Sequence, residues 1–223
     1  ALIGLGLLLD PILPVGWHVL AFLGCVVFTL LNLKGTKEAA NLQVGLVIIL
    51  LLIMAVYIFR GTASINIDYF QPFAANGLKA VFATAGFVFV SYGGLIQVAS
   101  LAGEIRSPGK TIPRGLVSSL IFMIFVYGLM VFVTSGVLGA DQLDNSLTPI
   151  SDTAEVLMGR LGLIFVSIAA GLAFITTANA GIMTASRYLL ALGKDQLLPA
   201  GFAKINRFYT PHVSILITGL VIS

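Results

Sequence analysis

Between Leu42 and Phe59 the chain carries no charged side chain, and its only strongly polar group is the amide of Gln43. A helix of that length rises about 1.5 Å per residue, which comes close to the ~30 Å hydrocarbon thickness of a bilayer. Comparable apolar runs lie near residues 15–33, 78–102, 115–138 and 157–192, with shorter ones at 1–9 and 212–223. Together they fill the chain as a single transmembrane domain over 1–223, the two terminal spans being partial, and leave no stretch for a soluble domain. Composition agrees: 58% of residues are hydrophobic and only 9% charged, against about 25% charged in soluble domains. The runs are too long for barrel strands and lack period-2 alternation, so the expected class is all-α, a polytopic membrane protein.

The basic residues cluster between the runs or near their ends. Lys34, Lys37, Arg106, Lys110, Arg114, Arg187, Lys194, Lys204 and Arg207 fall on one side of the expected topology, and only Arg60, Lys79 and Arg160 on the other. By the positive-inside rule the richer side is cytoplasmic. Asp10, Asp68, Asp141, Asp144, Asp152 and Glu155 fall on the opposite side. No solvated basic face offers a nucleic-acid surface, so no nucleic-acid partner is expected. The single cysteine, Cys25, lies within an apolar run and reads as a small buried hydrophobe. Both ends of the chain fall inside apolar segments, which raises the expectation of a piece of a longer protein. The first run has no charged n-region and is not read as a signal peptide.

One span differs from the others. From Gly86 to Arg114 the sequence reads GFVFVSYGGLIQVASLAGEIRSPGKTIPR, with adjacent glycines at membrane depth and a basic, proline-marked loop at its end. In lipid every backbone N–H and C=O must find a partner, so such a break implies either a close helix contact or a liganded cavity, and the cavity is the reading preferred here. In the loop, Pro108 and Pro113 are expected to stop helices, with Thr111 as N-cap of the next one. The cluster of Glu104, Arg106, Lys110 and Arg114 reads either as a cytoplasmic gate or as a positive-inside anchor. Earlier in the chain, Gly35 is expected to end one helix and Thr36 to cap its successor.

Three segments carry a resemblance: FVSYGG with AGEIRSPGKTIPRG, NLKGTKEAANLQ, and TASRYLLALGKDQLLPAGFAKINRFYTP. In order and spacing they resemble the amino acid-polyamine-organocation transporters, from the end of helix three to the start of helix nine. The resemblance implies a fold of two inverted five-helix repeats with a broken helix six, and secondary active transport of amino acids or related amines by alternating access, as permease or exchanger. Helix dipole ends and freed backbone groups at the break would hold the substrate. Carried over, Val90, Ser91, Tyr92, Gly93, Gly94 and Ile96 would be the substrate-binding residues. Val90 stands where many members place an aromatic gate, and Ile96 where several place a polar reader. The first departure suggests a different gating contact or a roomier pocket, and the second a neutral or apolar substrate side chain.

Coupling is left open by the residues. Some members place a lysine midway along helix five, where this chain has Ile49, Leu50 and Leu51. Ala169, Ala173, Thr177, Gly181 and Ala185 form a small-residue stripe that suits close helix packing; the neighbouring hydroxyls of Thr176 and Thr177 alternatively suggest sodium ligands. Gln97 and Asn179 read as helix-to-helix hydrogen bonders, and His18 and His212 as interfacial residues. No His, Cys or carboxylate spacing suits a metal, no cofactor is implied, and no catalytic constellation sits at depth, so an enzyme is not expected. A channel would need a polar stripe through several spans. A binding-only nutrient sensor on the same scaffold is the alternative that the residues do not separate from a transporter. The expected partners are an amino acid or amine and membrane lipid, and the expected site is the plasma membrane, crossed many times.

Overall fold

The computed structural model describes residues 1–9, 16–71, 77–146, 148–206 and 210–222. Asp10, Val15 and Arg207, and the side chains of Thr36, Lys37, Ser91, Ile96 and Glu104, lie outside the described residues. Every regular element among the described residues is helical: α1 (Leu2–Leu9), α2 (Trp17–Lys34), α3 (Thr36–Thr62), α4 (Gly77–Ser91), α5 (Pro108–Asn145), α6 (Pro149–Met158), α7 (Arg160–Lys194) and α8 (His212–Ile222). Short 3₁₀ turns occupy Ile67–Phe70 and Ala200–Ala203, and a long 3₁₀ helix follows α4 directly from Tyr92 to Glu104. Five helical stretches, Trp17–Lys34, Ala39–Thr62, Gly77–Gly103, Pro108–Asn145 and Arg160–Lys194, are long and apolar enough to cross a membrane. The protein is a multi-pass integral membrane protein.

Local chemistry accounts for the helix ends. Ser107 takes the N-cap position with φ of 54°, and Pro108 opens α5, where its fixed φ suits a helix and its missing N–H costs nothing. Thr111 is therefore not the cap that its place before Pro113 suggests. It lies inside the first turns and donates its hydroxyl to the Arg106 carbonyl at 2.9 Å, while Pro113 is accommodated within the helix. At the far end Gly139, with φ of 71°, interrupts α5 just past Leu138, and any Cβ there would lie 3.3 Å from the Tyr69 ring. The Gly136 carbonyl near this kink accepts from the Asn66 N–H at 2.8 Å, so the break leaves that acceptor paired. Pro149 opens α6, and the Asp152 carboxylate in its first turn accepts from the Ser146 and Thr148 hydroxyls. Gly159, at φ of 58°, then separates α6 from α7.

The chain divides into two compact units, 1–50 with 97–105 and 170–223, and 51–96 with 106–169. In the first, Leu2, Leu5, Cys25, Phe28, Ala178, Ile182 and Ile215 form the core, with Phe174 packed against it. The cysteine is the buried small hydrophobe expected, and its thiol donates to the Gly219 carbonyl at 3.3 Å. Gly219 lies so close to Thr29 that a Cβ would sit 2.5 Å from its hydroxyl. Buried amides tie three helices of this unit together. Asn32 on α2 donates to Asn179 on α7 at 2.9 Å, and Asn179 donates to the Ala39 carbonyl at 3.3 Å and to Gln43 on α3 at 3.1 Å. About two turns past Asn179, Arg187, 2% exposed, donates to the Met183 carbonyl and the Ser186 hydroxyl.

In the second unit Gly61 lets α3 press against Val133 of α5, and the buried Tyr57 hydroxyl meets that of Thr134 at 2.7 Å. Phe70 stacks on Phe132 with ring centroids 4.9 Å apart. By contrast, α4 buries nothing in its unit: Phe82, Phe87 and Phe89 are each at least three-quarters exposed. A helix so apolar and so exposed suits a hydrocarbon environment.

Replacing Asn179 by Leu removes the acceptor for Asn32 and the donor for Gln43 in one step. The expected loss is about 1–2 kcal/mol, read as a lowered midpoint in detergent unfolding. An unchanged midpoint would mean that the amide cluster contributes nothing to holding α2, α3 and α7 together.

Candidate functional site

The long 3₁₀ helix is the structural anomaly of the molecule. Such helices seldom run beyond three or four residues, because i→i+3 bonds are poorly aligned and side chains three apart eclipse. Here thirteen residues adopt it, Tyr92–Glu104, and the change from α geometry falls at Ser91 and Tyr92, where the sequence motif marked a break. The difference from that expectation is one of kind: the chain tightens at Tyr92-Gly93-Gly94 and stays helical, which keeps its amides paired along the segment.

Neither glycine of the pair is held by packing in its unit. A Cβ built on Gly93 or Gly94 meets nothing within 4 Å. Of the two explanations for a glycine pair at depth, a close helix contact is thus not what occupies these positions among the described residues.

A cleft of about 470 Å³ opens beside the break. From the broken helix come Val88, Tyr92, Gly94 and Leu95, and from α5 come Ser119, Leu120, Met123 and Tyr127. The spacing explains which residues arrive. Val88, Tyr92 and Leu95 recur at helical intervals on one face, as do Ser119, Met123 and Tyr127 on α5. The Ser119 hydroxyl donates to the Leu116 carbonyl at 3.0 Å, so two phenols and the backbone at Gly94 are the wall's remaining polar groups. Every lining side chain is uncharged.

Of the sequence-derived site residues, Tyr92 and Gly94 line this cleft, and Gly93 is exposed beside it. Val90 is not among the lining residues, its side chain being 76% exposed, whereas Val88 is. The side chains of Ser91 and Ile96 lie outside the described residues, as does that of Glu104, and with it the cluster of Glu104 and the cations. Arg106, Lys110 and Arg114 are exposed. On α7, the Thr176 and Thr177 hydroxyls both donate to the Ala173 carbonyl, at 3.0 and 2.7 Å. Thr177 and Ala185 of the small-residue stripe are exposed, while Asn179, Ile182, Ser186 and Arg187 form the buried face. The stripe is not the packing face of α7 within its unit. The α5 wall escaped the sequence reading, although Ser119 and Tyr127, two polar groups eight positions apart on an apolar helix, were a usable signal.

Comparison with known proteins places these features in context. A family model described as amino acid permease matches residues 9–223. A chloroplastic cationic amino acid transporter of Arabidopsis thaliana is 31% identical over 85% of this chain and 33% of its own length. A methylthioribose transporter of Bacillus subtilis is 28% identical over 84% of this chain and 41% of its own length. A branched-chain amino acid permease of the same organism is 26% identical, covering 87% of this chain and 42% of itself. The chain spans less than half the length of each of these relatives.

Because added Cβ atoms at Gly93 and Gly94 meet open space, Gly93→Ala and Gly94→Ala are expected to leave the fold intact. Their detergent melting midpoints should stay level or rise slightly, by the equivalent of at most ~1 kcal/mol. A loss of several kcal/mol in either variant would show that the glycines are held against structure after all.

Proposed function

Because the chain belongs to the amino acid permease family, we propose that it is the part of a secondary active transporter that receives an amino acid with an uncharged, apolar side chain and passes it across the membrane by alternating access. The uncharged wall of the cleft at Tyr92 and Gly94 carries this reading. A cationic side chain placed against Val88, Leu95, Leu120 and Met123 would give up its hydration without a counter-ion, whereas an aliphatic one gains about 25 cal/mol for each Å² buried.

The main-chain groups of the substrate have a matching logic. Where hydrogen bonding tightens from i→i+4 to i→i+3, one carbonyl is passed over and has no partner along the helix. That carbonyl near Ser91 is the acceptor proposed for the substrate ammonium. The Tyr92 and Tyr127 phenols, the hydroxyl donors of the wall that no backbone carbonyl takes up among the described residues, are the donors proposed for its carboxylate. In this reading the broken helix runs from the outer face inward, and Glu104, Arg106, Lys110 and Arg114 stand at the cytoplasmic end as its gate. Branched-chain amino acids, the cargo in the name of one relative, suit such a cleft better than cationic ones, the cargo in the name of another.

The test is uptake of labelled leucine by the full-length protein in proteoliposomes, with unlabelled competitors. Isoleucine, valine and methionine should compete at least about tenfold better than arginine, lysine or spermidine, a difference of ~1.4 kcal/mol. Competition by the cations alone would overturn the neutral-side-chain assignment. If no amino acid, amine or polyamine is taken up or exchanged, transport itself is wrong, and saturable binding without flux would make the protein a sensor.

Gly94→Leu extends the test. It should fill the cleft and reduce leucine uptake more than tenfold, about 1.4 kcal/mol or more, while the melting midpoint stays near that of the parent. Full uptake by a folded Gly94→Leu protein would move the substrate elsewhere.

A further inference from the structure

A larger cleft, of about 620 Å³, lies within the first unit between the 3₁₀ helix, α7 and α8. It shares no residue with the cleft at Tyr92. We propose that it is a second ligand site, for an uncharged molecule with an apolar body and a single hydrogen-bonding head, of which a medium-chain alcohol is the simplest representative.

Size and lining lead to this class of ligand. The volume falls within the range of small-molecule pockets, about 300 to 1,000 Å³. The surface of the wall is predominantly apolar, with Leu189 from α7 and Ile217 and Val221 from α8. The wall contains no charged side chain, so an ionised ligand would have no counter-ion within the span.

The polar groups are few and incompletely used. The Thr184 hydroxyl lies 3.2 Å from Gln97 Oε1, but its single proton goes to the Ala180 carbonyl at 2.8 Å, so the Gln97 carboxamide keeps hydrogen-bonding capacity to spare among the described residues. Thr184 is itself committed to the Ala180 and Gly181 carbonyls, and Ser100 bonds to the Gln97 and Thr184 carbonyls. Thr218 is 5% exposed, and its hydroxyl oxygen has no hydrogen-bond partner although it is buried. A helical threonine typically bonds back to a carbonyl three or four residues earlier. With two χ1 wells open to it, Thr218 can exchange hydroxyl for methyl at the cleft wall. A ligand head that accepts from Gln97 Nε2 and pairs with Thr218 uses the groups that the fold leaves over. A hydroxyl does both, because it accepts and donates. Gly181 and Ala185 leave the α7 wall low: a Cβ at Gly181 meets nothing within 4 Å.

The experiment uses the full-length protein in phosphatidylcholine nanodiscs and 3-azioctanol, a photoreactive alcohol, with adducts mapped by peptide mass spectrometry. Adducts are expected on α7 and α8 around Tyr188 and Ile217. Excess 1-octanol should suppress them, and octyltrimethylammonium at the same concentration should not. Ala185→Trp, or Gly181→Leu should the first variant fail to fold, should reduce labelling to background by filling the cleft. Thr218→Val, which keeps the shape and removes the hydroxyl, should weaken octanol protection about tenfold. The proposal is overturned by absence of adducts in these segments, as when another helix of the full-length protein fills the cleft. It is equally overturned by labelling that survives both filling variants, by equal protection from the ammonium compound, or by unaltered protection in Thr218→Val. Leucine that suppressed labelling as well as octanol does would show one site, not two; failure of leucine uptake leaves this readout unaffected.

Discussion

The pairing of backbone N–H and C=O groups away from water is the constraint on which the rest of this structure depends. A span in hydrocarbon has no solvent to complete its hydrogen bonds, so any departure from the α-helix needs a local substitute. Two departures show how the chain supplies one. Near the Gly139 kink the Asn66 amide reaches the Gly136 carbonyl, and past Ser91 the chain changes to 3₁₀ bonding and stays helical. The second solution concentrates the irregularity at one register shift, and the candidate site sits beside it.

Polar side chains at depth follow the same rule. Asn32, Asn179 and Gln43 bond to one another and to the Ala39 carbonyl, and Tyr57 bonds to Thr134. Each pair fixes the rotation of one apolar helix against another, which packing among Leu, Ile and Val specifies only loosely. Glycines work alongside them by allowing close approach, Gly61 to Val133 and Gly219 to Thr29. Membrane helices have little hydrophobic drive to associate, so hydrogen bonds and close contacts carry a larger share of specificity than in water.

The small-residue stripe on α7 illustrates how a pattern can permit close packing without naming a partner. Small residues every four positions permit close approach, yet the buried side of α7 is the one bearing Asn179, Ile182 and Ser186. Open space over Gly181, Gly93 and Gly94 has a common physical meaning: these glycines leave room at a wall instead of admitting a neighbour within the unit. At Gly94 that room belongs to the cleft of the proposed substrate, and at Gly181 to the second cleft.

The sequence alone determined the class of molecule, the number of long apolar helices and the place of the break, because length, absence of charge and adjacent glycines are local properties that lipid reads directly. The burial of Cys25 and the bridging role of Asn179 were legible for the same reason. What only the tertiary structure decided was which side of each helix faces what. Val88 lines the cleft instead of Val90, Ser119 and Tyr127 supply its opposite wall, and Ser107 with Pro108 starts a helix that Thr111 does not cap. In a helix apolar on every face the hydrophobic pattern carries no phase, so rotation about the axis, and with it the composition of a site, is set by contacts between helices far apart in the chain.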